Sequence, residues 1–445
     1  MAVDSQWTIY GRMAKDYKSD RLINLCEHGE GVQTGPFGSQ LHQKDYVQNG
    51  TPIITVEHLG ENRITHCDIP CVSESDFQRL SKYSIRKGDI VFSRVGSVDR
   101  RALVREEDGR MLFSGRCLRV RPNQSRIDPG YLSYFFGLPS FKSYIRGIAV
   151  GATMPSLNTK ILSNILIYYP ELSQQRAISH ILGTLDDKIE LNRRMNETLE
   201  EMARAIFKSW FVDFEPVRAK SEGRDTGLPK HIADLFPNGF EESELGEIPM
   251  GWGVGTFGEV AHNSRRGVQA KDIVKETPYI GLEHMPRRCI ALNVWGHSEK
   301  VVSNKHKFKR GDILFGKLRP YFHKVGVAPV DGVCSTDILV LTPKSPEWLG
   351  FVLGHASSSE FIKYTDAAST GTKMPRTNWD DMSRYRLVIP NSDVVKVYTQ
   401  IIVKVVVERI ISAIHESYTL SSLRDSLLPK LISGELHVNE VSKVI

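Results

Sequence analysis

Residues 173–210 read SQQRAISHILGTLDDKIELNRRMNETLEEMARAIFKSW. Steps of four and three from Ile178 give Ile178, Leu182, Leu185, Ile189, Asn192, Asn196, Leu199, Ala203, Ile206 and Trp210, and eight of these ten are apolar. Alternating steps of that kind mark a seam for a partner helix rather than the broader face of an ordinary globular helix. Pro170 lies just upstream, and Ser173 is the predicted N-cap. About 35 helical residues at ~1.5 Å each make a rod of roughly 50 Å. A rod cannot bury its own stripe, so the sequence calls for a partner.

A partner lies 221 residues further on, where the same phases fall on Thr399, Val403, Val406, Ile410, Ala413, Ser417, Leu420, Arg424, Leu427 and Leu431. This second seam is weaker, with Ser417 and Arg424 in phase, although the apolar run Ile401–Val407 reinforces it. Pro390 precedes it as Pro170 precedes the first. Pro429 is predicted to end it, because the residue before a proline is pushed out of the helical region.

Outward from the helices, the text in front of each is also duplicated. Thr51-Pro-Ile-Ile-Thr-Val-Glu-His58 matches Thr277-Pro-Tyr-Ile-Gly-Leu-Glu-His284 at five of eight places. Lys87-Gly-Asp-Ile-Val-Phe92 matches Arg310-Gly-Asp-Ile-Leu-Phe315, and Gly151-Ala-Thr-Met-Pro-Ser-Leu-Asn158 matches Gly371-Thr-Lys-Met-Pro-Arg-Thr-Asn378. The offsets are 226, 223 and 220, close to the 221 of the helices. Collinear matches with a drifting offset establish an internal repeat, domain–helix–domain–helix. Short β-like runs (Pro52–Val56, Asp89–Phe92, Ile165–Tyr169) with a helical stretch at Tyr131–Tyr144 predict α/β or α+β domains. The expected order is a first domain at 1–171, a first long helix at 172–212 and a linker at 213–248. A second domain at 249–390, a second long helix at 391–433 and a tail at 434–445 follow. If the two stripes pair, the helices run antiparallel as a coiled coil, giving a pseudo-two-fold dumbbell. Such a rod can hold two readers over successive turns of one DNA face, since half-sites recur about every 34–36 Å.

Charge follows this division. Residues 1–171 carry a net +4 and 249–390 a net +7, while 172–218 and 391–445 are near neutral. Basic globular blocks on neutral helices suit a phosphate-rich partner. No run of 18 apolar residues exists and the first 20 are polar, so neither a membrane span nor a signal peptide is expected. The six cysteines include one close pair, Cys67 and Cys71, with no second pair to complete a zinc site. Reduced cysteines in a cytoplasmic protein are the expectation, with no metal.

Catalytic signatures are missing from the text. Gly253-Val-Gly-Thr-Phe-Gly258 fits a dinucleotide fingerprint by letter, but a poor strand precedes it. There is no phosphate-binding G-x₄-G-K-[ST] loop, no Asn-Pro-Pro-aromatic motif of an amino-methyltransferase, and no Glu-x-Lys of the common nuclease type. His58 and His284 recur in the repeat and have no nucleophile near them in sequence, so a structural role is expected. What remains is basic: Arg94, Arg100 and Arg101 after one Gly-Asp strand, Lys317 and Arg319 after the other, and Arg265, Arg266, Lys373 and Arg376 in loops of the second block. Arginine forks guanine edges, and lysine or arginine reaches phosphate. These nine are the candidate DNA contacts, Arg94 and Arg319 being paired as analogues.

The architecture, Leu428-Pro-Lys-Leu-Ile-Ser-Gly-Glu-Leu436, the helix opening Gln175-Arg-Ala-Ile-Ser-His-Ile-Leu182 and Gly35-Pro-Phe-Gly-Ser39 together resemble the DNA specificity subunit of type I restriction–modification systems. The resemblance spans nearly the whole chain. It implies two target recognition domains, each reading half of a split double-stranded site. It implies helices that set the spacer and dock two methyltransferase subunits, with restriction subunits joining for cleavage. The chain itself would be non-catalytic, and S-adenosylmethionine, ATP and Mg²⁺ would belong to partner subunits. The competing reading is a helical protein-interaction scaffold without sequence-specific DNA binding, which leaves the two basic blocks unexplained.

Overall fold

The structure, a computed structural model, describes residues 5–38, 40–151, 153–300, 302–371 and 373–441. Ser39, Ala152, Thr372 and the last four residues, all parts of motifs or segments named above, lie outside them. The chain forms two compact units, Met1–Asp187 with Ser421–Ile445, and Lys188–Leu420.

In the first unit, one mixed sheet runs Val32–Thr34, Cys117–Val120, Ile90–Ser93, Arg101–Leu103, Glu61–Asn62. A second runs Tyr46–Val47, Cys71–Val72, Thr51–Ile54, Met111–Phe113, Ser84–Ile85. Each contains one parallel pair among antiparallel ones. The strand Ile90–Ser93 is buried throughout, as its unbroken apolar run demands. The predicted helix around Tyr131–Tyr144 is two helices, Pro129–Phe135 and Pro139–Ile148, because Pro139 starts a new first turn. In the second unit, Ala261–Asn263, Ile338–Pro343, Ile313–Gly316 and Val325–Val327 form one sheet, and a five-stranded sheet stands with it. His58 and His284 are structural: the ring Nδ1 of each accepts a backbone N–H, from Thr55 at 3.1 Å and Gly281 at 3.0 Å.

The first long helix is Leu172–Phe211, a single 40-residue element. It starts one residue before Ser173, so that serine sits in the first turn. Buried Gln175 holds the start instead, donating to Pro170 O at 2.9 Å and accepting from Asp128 N at 2.8 Å. Ile178, Leu182, Leu185, Asn192, Asn196, Leu199 and Trp210 of the seam are buried, and Ile189 and Ile206 half-buried. The buried face is wider than a two-position seam, since Asp186, Glu200, Phe207 and Phe211 are buried beside it. The helix packs on domain surface as well as on helix, and that second contact is what the periodicity does not report.

The second helix comes in three pieces: Ser392–Ile401, a π-helical stretch Ile402–Val407 and Glu408–Ser433. The π stretch is the Ile-Val-Lys-Val-Val-Val run, whose β-branched side chains crowd a regular helix. Val406, Ile410 and Ala413 are buried, and Leu420 and Leu427 half-buried. Pro429 does not end the helix, which continues to Ser433. Leu431 and Ile432, both fully buried one turn on, oppose the lost backbone hydrogen bond. Of the polar residues in phase, Asn192, Ser417 and Arg424 are matched, whereas the buried Oδ1 of Asn196 has no hydrogen-bond partner among the described residues. In the second unit Asn192 Nδ2 donates to Glu416 Oε2 at 2.8 Å and Ser417 Oγ at 3.2 Å. In the first, Arg424 meets Asp186 at 2.7 Å.

The stretch 213–248, expected to be a linker, is folded. It contains helices Glu215–Ser221 and Lys230–Ala233 and a hairpin of Phe240–Ser243 with Gly246–Pro249. Val217, Phe236 and Ile248 are buried in the second unit's core. Proline and glycine there shape tight turns between short elements and do not signal flexibility.

Candidate nucleic-acid interface

In each domain a buried strand ends beside a loop that begins with a glycine in the left-handed region, Gly151 (φ 105°) or Gly371 (φ 97°). The hydrogen bonds of the two places correspond. Arg94 N donates to Arg116 O and Leu157 N to Arg94 O, both at 2.8 Å; Lys317 N donates to Asp337 O at 2.9 Å and Thr377 N to Lys317 O at 3.1 Å. Gly96 N donates to Pro155 O at 2.9 Å, and Arg319 N to Pro375 O at 2.8 Å. The counterpart of Arg94 is therefore Lys317. Arg319 stands where the first domain has Gly96, and this corrects the pairing of Arg94 with Arg319. Counting residues from the Gly-Asp turn leads to the same answer; matching by residue type does not.

Gly96 has φ 80° and Arg319 φ 51°. A left-handed arginine costs about 1–2 kcal/mol, and such backbone outliers cluster at functional sites. Half-buried Arg319 lies 5.8 Å from the Phe322 ring, with Arg287 at 4.0 Å from the same ring. Its Nε has no hydrogen-bond partner among the described residues.

Strand register also aligns a third position. Val32 pairs with Val120, which pairs with Ile90; Asn263 pairs with Leu341, which pairs with Ile313. Two residues further on, Thr34 and Arg265 correspond. In the first domain Arg94 Nη1 donates to Thr34 Oγ1 and Gly115 O, both at 3.2 Å, and its guanidinium is 5.6 Å from exposed Phe37. Gly35 and Gly115 permit this: a Cβ on either would lie 2.1 Å from a carbonyl oxygen of the crossing loop. In the second domain Arg265 is exposed, and Lys317 and Arg265 both lower the pKa of His306, after burial as the main cause. Lys317 and Arg265 therefore bring positive charge to bear on the His306 ring, whose protonation burial and these cations disfavour.

The other candidates divide. Arg100 and Lys373 are exposed. Arg376 is exposed and 3.5 Å from Asp337. Arg266 is held by Asp312 at 2.9 Å. Arg101 is not a surface contact: it is 2% exposed, bonded to Ser133 O at 2.7 Å and Glu61 at 3.0 Å. In a strand the side chain alternates faces, and Arg101 points inward where its neighbour Arg100 points out. Phe37, which the sequence offers only inside the Gly35–Ser39 motif, and Arg287 stand beside these cations without having been read as contacts. Among the described residues no group of three His, Cys, Asp or Glu side chains could hold a metal, and none of the six cysteines is in a disulfide. No helix among the described residues is long and apolar enough to cross a membrane.

Residues 32–201 match the family profile described as type I restriction modification DNA specificity domain. The chain is 25% identical to the type I restriction enzyme HindI specificity subunit of Haemophilus influenzae, over 87% of this chain and 95% of that one. It is 26% identical to the MjaIX specificity subunit of Methanocaldococcus jannaschii, over 98% and 96%. In fold it is similar to the type I restriction–modification S subunit from M. genitalium, with TM-score 0.54, 14% identity and coverage of 93% and 96%. Residues 32–201 thus match a type I restriction–modification DNA specificity domain, and the chain is similar along nearly its full length to type I restriction enzyme specificity subunits.

Proposed function

We propose that each domain reads one half of a split duplex DNA site through its strand-exit loops, and that the long helices set the spacer between the halves. The observation that carries this is the pair of corresponding strand exits, built on the same hydrogen bonds but furnished differently: Thr34, Phe37 and Arg94 in one, Arg265, Lys317 and Arg319 in the other. A common frame with divergent side chains suits two readers of different sequence. Helix pairing as an antiparallel coiled coil, with pseudo-two-fold symmetry between the repeats, is supported by Asn192 meeting Glu416 and Ser417 and Asp186 meeting Arg424. Polar pairs of this kind pin register.

In this reading the chain is a non-catalytic recognition subunit. Two methyltransferase subunits dock on the helices and bring S-adenosylmethionine; restriction subunits bring ATP and Mg²⁺ chemistry. The exposed apolar side chains Leu191, Met202 and Leu423 on the helices offer contact area for such docking.

The test is geometric. One heptad inserted after Asn196 and one after Ala413 keeps the seam phase and adds roughly 10 Å, about three base pairs at ~3.4 Å each. The methylation map of a host carrying the variant with its partner subunits should show both half-sites unchanged and a longer spacer. A folded, active variant that keeps the old spacer would refute the ruler. Loss of split-site methylation by the wild-type assembly would return the chain to a protein scaffold.

A further inference from the structure

We infer that Met154 and Met374 are apolar contacts to duplex DNA, one per domain, made irrespective of base sequence; the inference rests on the reading just given. Each methionine sits on a turn closed twice. Val150 and Ser156 exchange backbone hydrogen bonds at 2.9 and 2.8 Å, and Thr370 and Arg376 do so at 3.0 Å both ways. On the outgoing side, Asn158 and Asn378 cap the next helices by accepting from Ile161 N at 2.8 Å and Asp381 N at 2.9 Å. The ends of each turn are therefore braced, yet the methionine stands out in water: Met154 is 60% exposed and Met374 51%.

A flexible apolar side chain kept exposed on a braced turn is a binding feature when it recurs in place. Here it recurs, with Met-Pro identical in both copies, while the next two residues differ, Ser156-Leu157 against Arg376-Thr377. Positions that read different bases should diverge between domains; a position that serves both alike should not. The location names the partner. The prolines following the methionines accept from Gly96 N and Arg319 N, so each turn is bonded to the exit that carries the cations. Lys373, next to Met374, is exposed too. Apolar side chains beside arginines and lysines are the means by which proteins grip the sugar and base edges of a groove without reading sequence.

The experiment uses the assembled methyltransferase and duplexes containing the split site defined by its methylation map, with single-base variants of each half, at two salt concentrations. Met154→Ala and Met374→Ala are compared with wild type, and Lys373→Ala is the charged control. Each methionine variant should bind about fivefold more weakly, by the same factor for the site and for every variant. The salt slope should be unchanged, because no counterion is displaced by a neutral side chain. Met374→Leu should recover most of the loss. The inference is overturned if the alanine variants bind as wild type, or if the loss is confined to particular base pairs. It is equally overturned if partner subunits dissociate while DNA affinity of the intact assembly is unchanged, which would make the turns a protein dock. A wild-type assembly with no preference for the split site would overturn the underlying function first, before any variant is compared.

Discussion

The joint between domain and helix is built differently in the two units. In the first, the Asp186 carboxylate accepts from Arg424 at 2.7 Å, Tyr134 Oη at 2.6 Å and Asn62 Nδ2 at 3.5 Å. Burial, and then that carboxylate, push the Tyr134 phenol up, so it stays protonated and donates. Adding the 220 or 221 residues of the repeat, or subtracting them from Arg424, finds Gly354 for Tyr134, Val407 for Asp186 and Ala203 for Arg424. Each of these three has an apolar or small counterpart. The volume is taken by Phe207, the counterpart of Leu428, whose ring presses so close to Gly354 that a Cβ there would lie 2.1 Å from it. Around it Phe211, Tyr398 and Phe351 stack edge to face, with centroids 4.8 and 5.0 Å from Phe211. One repeat thus closes its joint with a charge pair and the other with aromatic packing. The lesson is that the repeat preserves backbone and contact, not the force that makes the contact.

Either joint should be costly to break. Asp186→Ala leaves the half-buried Arg424 guanidinium with exposed Asp425 alone and the buried Tyr134 hydroxyl without its acceptor, at a cost of about 3–5 kcal/mol. Phe207→Ala empties a packed site beside a glycine and should cost about 3–5 kcal/mol as well. The sharper test is conversion of the first joint to the second: Tyr134→Phe, Asp186→Val and Arg424→Ala together should be close to neutral, since a buried ion pair is often no more stable than well-packed apolar groups. Denaturant unfolding of the three proteins measures this. A triple variant as unstable as Asp186→Ala would show that the polar joint is not interchangeable with the apolar one.

Much of this architecture was legible in the chain. The repeat, the seam residues and the strands came from periodicity and self-similarity, which are local properties. What sequence missed was set by tertiary contact. Arg101 reads as an exposed cation like Arg100 until the sheet turns it toward Ser133. Pro429 reads as a stop until burial of Leu431 and Ile432 overrides it. The linker's prolines read as flexibility although Val217 and Phe236 anchor it in a core. At the strand exits, residue type pointed to Arg319 as the partner of Arg94, and only the backbone hydrogen bonds reveal Lys317 in that role.

The exits allow a smaller test of the same asymmetry. Arg319→Gly installs the residue that the first domain uses at this left-handed position. It should stabilise the fold by up to about 1 kcal/mol through relief of backbone strain. If the side chain forks a guanine, binding should fall by about 1–3 kcal/mol with relaxed choice at one position of the second half-site alone. If it touches phosphate, affinity should fall alike for all sequences and the salt slope should drop by roughly one. A thermal melt and a binding titration against single-base variants separate these outcomes. A change in the first half-site would contradict the assignment of one domain to each half.

The smallest expected effect concerns His306, which strand register places where the first domain has Tyr83. Burial first, then Lys317 and more weakly Arg265, hold its imidazole below the usual value of 6.5. If Lys317 and Arg265 meet phosphates, their repulsion of a protonated imidazole falls in the complex. The His306 pKa is then higher bound than free, and DNA binding takes up a proton. The sign follows: affinity is greatest below the free-state pKa and declines as pH rises through the bound-state value, a change of less than about tenfold. Titrations between pH 5.5 and 8, with calorimetry in two buffers of different ionisation enthalpy, measure the proton taken up. Lys317→Ala should raise the free His306 pKa and flatten the dependence, while Tyr83 gives the first half-site no counterpart. A pH profile unaltered by both His306→Gln and Lys317→Ala would place this cluster away from DNA.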